Sequence, residues 1–423
     1  MTQFLQKKST WQKVRKLFND IHLWLGLSSG LIVIAVCFSG TVYVFNTELT
    51  ERAVPHLYKV NPLAGQKRIP VDSLIEKIKT ASVGTIIAIT IPADLKRTYQ
   101  FNIKKKGDDS RGGIAYMVNP YTGDIVGNSK EKNGTKEFMS TMFSLHRWLL
   151  LDKVEKPIFN GVPNRELGSM ITGWATIIFT LGCITGLIIW FPQKIRNWKQ
   201  GLSVKWKAGW KRVNHDLHNS LAFYALFFLL LMGLTGPQWS FDWYRTGLQK
   251  TLGTYKPKDA TKEKTPKSTL QETENRLTTL SIEDYIKEAD KVLTYSGNYV
   301  ITLPVDSMAT TVISKTKPGF FAPAAGDRLT LDQYSGKVLK TDIFKDKPFN
   351  ERIAGSIKAI HVGNVYGTFT KIIYFLACLI ATSLPVTGTM IWLNKMKKKG
   401  KRKNKAIATT TVEETLASNE QVA

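Results

Sequence analysis

The chain holds six histidines, at positions 22, 56, 146, 215, 218 and 361. Five of them stand at the ends of long apolar stretches. The stretch from Asn19 to Thr41 reads NDIHLWLGLSSGLIVIAVCFSGT, with His22 at its polar end. A helix that only anchors a chain has no need of an imidazole there. His22 has a counterpart in His218: Asp20-Ile21-His22 is followed by Ser39-Gly40, and Asp216-Leu217-His218 by Thr235-Gly236. His215 precedes His218 by three residues and so shares nearly the same helical face. His146, in SLHRW, and His361, in AIHVG, precede two further apolar stretches. His56 is alone in a linker and is assigned no role. Ionisable groups at membrane depth are costly and mark function. Imidazole is a ligand for haem iron, zinc and copper. One histidine at a helix end is usually just interfacial, but five at matched positions favour the ligand reading.

Two imidazoles from different helices can cap both faces of a haem inside a bundle. Small residues must then let the flat ring enter. Gly26, Ser28, Ser29, Gly30 and Gly40 offer this on the first stretch, and Gly168, Gly173, Gly182 and Gly186 on the second. Glycine also serves membrane-helix packing, so this observation discriminates little alone. His22 and Gly40 are about 27 Å apart along a helix at 1.5 Å per residue. One imidazole pair near each face would therefore place two haems across the bilayer, a layout for moving electrons. A single zinc site needs no second layer. Arg147, beside His146, could pair with a propionate, as could Arg15 and Arg212 at the opposite face. Trp24, Trp148, Trp190, Trp239 and Trp392 read as an aromatic belt.

The elements that must position these residues are four windows free of Asp, Glu, Lys and Arg: Ile21–Thr47, Leu167–Gln193, Leu217–Phe241 and Ile372–Asn394. Each is long enough to cross a bilayer, which takes about 20 residues. The first is too long for the apolar region of a signal peptide and lacks a following A-x-A-like site. Basic residues flank the windows on alternate connections: Lys7, Lys8, Lys13, Arg15 and Lys16; Lys194 to Arg212; and Lys395–Lys405. The positive-inside rule then places both termini on the cytoplasmic side. The formal net charge of +26 reads mainly as topology and attraction to anionic lipid. No basic-aromatic module accompanies it, so nucleic acid is not the expected partner. Cys37, Cys183 and Cys378 all lie within apolar windows and read as packing residues.

The sequence also repeats itself. Thr185-Gly186 then Trp190 matches Thr387-Gly388 then Trp392. Between the helices, Ile91-Pro92 matches Leu303-Pro304, and NPYTGD (Asn119–Asp124) matches LDQYSG (Leu331–Gly336). Helical patterns at Val71–Ala81 and Ile282–Leu293 precede alternating stretches such as Thr98–Ile103 and Thr310–Ile313. The tetrads closing on Gly read as hairpin turns. The expected fold is thus a membrane α-helical protein with four transmembrane helices in two tandem repeats and two extracytoplasmic α+β modules. The boundaries are a basic cytoplasmic N-terminus at 1–20, helices at 21–47, 167–193, 217–241 and 371–394, outward modules at 48–166 and 242–370, a cytoplasmic loop at 194–216, and a basic, disordered tail at 395–423.

The His-containing helix starts (DIHLWLGLSSG, LHRWLL, HDLHNSL), the SG and TG helix ends, and the module ends NPYTGDIVG and LDQYSGKVL together resemble the PepSY-associated transmembrane family. The resemblance spans about residues 12 to 396. It implies a conduit of iron-regulated, ferric-siderophore-reductase type with two b-type haems. Position by position, His22 with His218 or His215 would hold the inner haem, and His146 with His361 the outer one. The outward regions would be PepSY-like modules. A ferric chelate or siderophore would be reduced outside, and Lys104, Lys105 and Lys106 could attract it. No flavin-binding region is present, so a separate cytoplasmic or membrane electron donor is implied. Two other readings stay open: a haem-free scaffold whose modules bind a protease or cell-envelope partner, and the same haem frame with another acceptor or a quinol donor. No P-loop, nucleophile elbow, HExxH or CxxC supports a hydrolase or ATPase.

Overall fold

The structure, a computed structural model, describes residues 10–81, 84–108, 110, 112–192, 195–257, 266–269 and 280–420. Lys7, Lys8 and Lys194 of the basic flanks, and the last three residues of the tail, lie outside the described residues. The chain divides into two compact units. One comprises residues up to 41, 142–242 and 374 onward; the other comprises 42–141 and 243–373.

The elements run α1 (Thr10–Tyr43), α2 (Asn46–Ala53), α3 (Pro55–Tyr58), α4 (Val71–Ala81), β1 (Thr85–Ile91), β2 (Tyr99–Lys104), β3 (Ile114–Val118), β4 (Ile125–Asn128), α5 (Gly134–Trp148) and α6 (Asn164–Trp190). There follow α7 (Trp210–Thr235), α8 (Asp242–Thr251), α9 (Ile282–Val292), β5 (Asn298–Thr302), β6 (Thr311–Thr316), β7 (Asp327–Leu331), β8 (Val338–Asp342), α10 (Phe349–Val362) and α11 (Gly367–Glu420).

Four of the described helices are long and apolar enough to cross a membrane: Thr10–Tyr43, Asn164–Trp190, Trp210–Trp239 and Gly367–Lys398. In lipid every backbone polar group must be satisfied within the segment, which these helices achieve. Their hydroxyls bond back to the preceding turn, as Ser39 does to the Ala35 carbonyl (2.7 Å) and Thr180 to Thr176 (2.7 Å). Large side chains such as Leu31 and Phe227 stand exposed on the outside of the helices, as an apolar solvent allows. Small residues bring the helices together: an ideal Cβ on Gly233 would lie 2.3 Å from Thr180 Oγ1, so α6 and α7 meet backbone to side chain. Ala225, Leu229, Ala377 and Ala381 form the packed centre between α7 and α11. The helices do not keep to the apolar windows: α1 begins at Thr10, so basic residues occupy its first turns. The tail expected without order continues α11 as helix to Glu420. Ala, Glu and Leu in that tail are good helix formers, and the helix before them already supplies the nucleus.

In the other unit, both runs of four strands form antiparallel meanders, each preceded by a short amphipathic helix, α4 or α9. The turns close on glycines with positive φ, Gly123 at +74° and Gly336 at +69°, a conformation that other residues adopt at a cost. The two expected modules are not separate bodies. β1 pairs antiparallel with β5, from Ala88↔Thr302 to Ile91↔Tyr299, to give one sheet in the order β4-β3-β2-β1-β5-β6-β7-β8. Edge pairing removes two open strand edges at once, which explains why the runs merge. One core serves both, with Leu74, Ile78, Phe101, Tyr285, Ile301 and Leu329 buried together. The helices also cap each other. Ile282 N–H donates to Asp72 Oδ2 (3.0 Å), and Val71 N–H donates to Glu283 Oε1 (2.5 Å). Each carboxylate sits at a helix start, where the unpaired N–H groups and the helix dipole favour it.

Candidate cofactor site at the basic end of the helix bundle

His22 leaves α1 toward α6. Its Nδ1 lies 3.0 Å from the Gly182 carbonyl and 3.2 Å from Thr185 Oγ1. The Thr185 hydroxyl spends its own proton on the Leu181 or Gly182 carbonyl, both at 3.0 Å. Both neighbours therefore accept, so Nδ1 carries the proton and Nε2 keeps its lone pair. His218 repeats the arrangement between α7 and α11. Its Nδ1 is 2.8 Å from Thr387 Oγ1, and that hydroxyl donates to the Ser383 or Leu384 carbonyl at 3.1 Å. A ligating histidine is commonly held this way, with the second ring nitrogen fixing tautomer and orientation.

A glycine one residue beyond each threonine makes room for the ring. An ideal Cβ on Gly186 would stand 3.2 Å from His22 Cε1, and one on Gly388 would stand 3.2 Å from His218 Cε1. The two rings are neighbours in an edge-on arrangement, with centroids 6.4 Å apart and planes at 79°. Two metal–nitrogen bonds of about 2 Å, plus roughly 1 Å from each nitrogen to its ring centre, span about 6 Å. The spacing suits two imidazoles on opposite sides of one metal ion. Both rings line a cavity of about 600 Å³, walled by leucines, glycines and the indoles of Trp190 and Trp392, with Arg15 and Lys395 also lining it. Cofactor cavities fall in the range of roughly 300–1,000 Å³.

The donor count selects among metals. Structural zinc takes four protein ligands and catalytic zinc three. Among the described residues no group of three or more His, Cys, Asp or Glu is placed to hold a metal ion. Two imidazoles beside a cavity between helices suit a metal that brings most of its ligands with it, as haem does. The residues present fit that group.

The remaining histidines differ. His215 lines the same cavity, but its ring lies near Asn219 Nδ2 (3.3 Å) and the Asp216 carboxylate (3.6 Å). Of the two candidates that the sequence left open, His218 is the one that faces His22. His146 Nδ1 lies 2.8 Å from the Val36 carbonyl, which only accepts, and its Cε1 would lie 3.1 Å from a Cβ on Gly40. It repeats the combination of tethered Nδ1 and glycine cradle at the other end of α1. His361 sits in the last turn of α10, in the sheet unit. Arg147 donates from Nη2 to the Trp239 carbonyl (3.1 Å). Arg15 donates to the Ile189 carbonyl (3.0 Å), and Arg212 pairs with Asp216 (2.8 Å). His56, in the sheet unit, pairs with Glu131 (3.1 Å). The two threonines that orient the rings were visible only as members of a repeated Thr-Gly pair. Their role needed the neighbouring helix.

No curated protein matches the chain. Residues 20–395 match the family model described as the PepSY-associated TM region; the chain belongs to that family and is a membrane protein.

Proposed function

We propose that this chain is a di-haem b-type electron conduit of the bacterial inner membrane, with both termini cytoplasmic, that reduces an extracytoplasmic ferric chelate and so releases ferrous iron. The observation that carries the reading is the His22–His218 pair. Two tethered imidazoles stand 6.4 Å apart beside a glycine-bounded cavity. Bound haem would supply one-electron chemistry at its iron. The chain's own part is to hold and tune it. Thr185, Thr387 and the Gly182 carbonyl keep Nε2 of each ring deprotonated and aimed. Gly186 and Gly388 let the rings approach. The apolar walls exclude water, and Arg15 and Lys395 offer cations to propionates.

His146 with His361 would form the second, outer ligand pair, supported by the His146–Gly40 contact. The chain reads as a tandem duplication in which each half contributes two helices and one PepSY-like module. Matching turns, matching strand runs and the reciprocal caps support it. A ferric siderophore is the acceptor and a separate donor feeds the basic end.

The test is the absorption spectrum of the purified protein before and after dithionite, with haem counted per chain. The reading expects a low-spin b-type spectrum at about two haems per chain, of which His22→Ala and His361→Ala each remove part. Reoxidation of the reduced protein by a ferric chelate would establish the acceptor. A colourless protein after expression with ample haem would overturn the reading and leave a partner-binding scaffold.

A further inference from the structure

The sheet unit contains a second cavity, of about 390 Å³, that the redox reading does not use. It lies at one end of the β1–β5 seam. Ile91, Pro92 and Ala93 border it on the β1 side, and Thr294 to Gly297 lead from α9 toward β5 on the other. The seam is closed there by Ala93 N–H donating to Asn298 Oδ1 (2.9 Å). Arg68, Lys315, Tyr295, Tyr299 and one carboxylate, that of Asp290, complete the lining.

Lys315 breaks the pattern of its strand. β2 and β6 have the same length and the same alternation of buried and half-buried residues. At the fifth position β2 carries Ile103, 1% exposed, and β6 carries Lys315, 2% exposed. A core position that an isoleucine fills in one run holds an ammonium in the other. Burying that charge costs several kcal/mol unless it is fully compensated. The compensation is elaborate. Lys315 Nζ donates to Asp290 Oδ1 (2.7 Å) and to the Leu293 carbonyl (2.7 Å). It also lies 5.0 Å from the Tyr295 ring centre and 4.8 Å from that of Tyr299. Tyr299 donates to the same Asp290 oxygen (2.5 Å), and Tyr295 donates to Asp327 (2.9 Å). A buried ion pair is a weak source of stability beside an apolar replacement, so packing does not account for this one.

Arg68 supplies the second observation. Its guanidinium lies over the Tyr99 ring at 5.2 Å. It donates to the carbonyls of Asp94 at 2.9 Å and of Pro92 at 3.5 Å. Its Nε is buried without a hydrogen-bond partner, and no carboxylate pairs with it among the described residues. The cavity therefore has one cation with no acid, a second whose acid is shared with a tyrosine, and aromatic walls.

We propose that this cavity binds a small organic or inorganic anion whose carboxylate or phosphate oxygens pair with Arg68, beside the Lys315–Asp290 pair that keeps the Asp290 carboxylate neutralised. A guanidinium fork matches both oxyanions in geometry, and charge-assisted bonds of this kind are about twice as strong as neutral ones. The site stands whether or not the bundle holds haem.

The test uses the full chain in detergent. Thermal unfolding and hydrogen exchange over residues 64–72 and 290–299 are measured with citrate, with inorganic phosphate and with chloride at matched ionic strength. A saturable rise in midpoint and protection of those segments by citrate or phosphate, and not by chloride, is expected. Citrate alone identifies a carboxylate site, and phosphate a phosphate site. Arg68→Gln is expected to weaken the response about tenfold or more. Lys315→Ile, which copies β2, is expected to abolish it in a folded protein; should that variant fail to fold, Arg68→Gln decides. No saturable response to either anion, or an unchanged response in Arg68→Gln, overturns the proposal.

Discussion

Substituting Gly186 tests the candidate site without touching a ligand. An ideal Cβ there would stand 3.2 Å from His22 Cε1, slightly inside ordinary contact. Gly186→Ala asks the ring to give by a few tenths of an ångström. Alanine also returns about 1 kcal/mol of helix propensity, against an overpacking cost of the same order. The alanine variant should therefore fold with stability within about 1 kcal/mol of the parent and keep its haem. Gly186→Val places two further methyls on the ring. His22 cannot retreat without stretching its 3.0 Å bond to the Gly182 carbonyl, and overpacking now costs about 1–3 kcal/mol. Haem per chain should fall by about one. Gly388→Val presses on His218 in the same way, at 3.2 Å. On the proposed function both rings serve one iron, so the Gly186→Val, Gly388→Val double variant should lose no more haem than either single one. Gly40→Val, which presses on His146 at 3.1 Å, should add its loss to theirs, since independent sites add and shared ones do not. The assay is haem content and reduced-minus-oxidised spectrum per folded chain. Full haem retention in folded Gly186→Val, or additive losses for Gly186→Val with Gly388→Val, would refute a shared iron.

Three other predictions follow from the same geometry. His218→Ala should remove the haem that His22→Ala removes, whereas His215→Ala should retain it and only change its spectrum slightly; haem counts on the three variants decide. In the sheet unit, burial first and then the hydrogen bond with Glu283 raise the Asp72 carboxyl from its ordinary value to about 7. Between about pH 4 and that value the folded chain holds this proton and the unfolded chain does not, so stability falls as pH rises through the window and levels off above it. Asp72→Asn should flatten that dependence and raise the thermal midpoint at about pH 8; an unchanged pH profile would count against the pair. Phe101→Ala empties a fully buried place in the common core and should cost about 3–5 kcal/mol, read as an early loss of strand signal on heating.

Much of the layout was legible locally. A run of some 20 apolar residues crosses a bilayer whatever its neighbours do, so the four spans could be read by eye. The repeated His, Thr-Gly and Gly-closed turns also lie within short windows. What failed was organisation over distance. The two strand runs looked like two modules because alternation reveals which face a strand buries, not which edge it offers. Only the pairing of Ile89 with Ile301 and the exchange of caps between Asp72 and Glu283 made them one sheet. The tail was read as disordered from its polarity, yet a helix already running through the membrane carries such residues without paying nucleation again.

The sequence by itself determined how many apolar spans there are, that imidazoles stand near their ends, and that small residues accompany them. Those properties depend on composition and helical period alone. The tertiary structure decided which imidazoles meet. His215 and His218 are three residues apart and equal candidates on the chain, but of the two only His218 sets its Nδ1 on a threonine of the neighbouring helix and its ring beside that of His22. Lys315 teaches the same lesson in reverse. Its letter reads as a solvent-facing charge, and only the packing of α9, β5 and β6 around it leaves an ammonium in a core. Tautomer, orientation and burial are properties of neighbours, and neighbours here come from segments more than 150 residues apart or from the far side of a sheet.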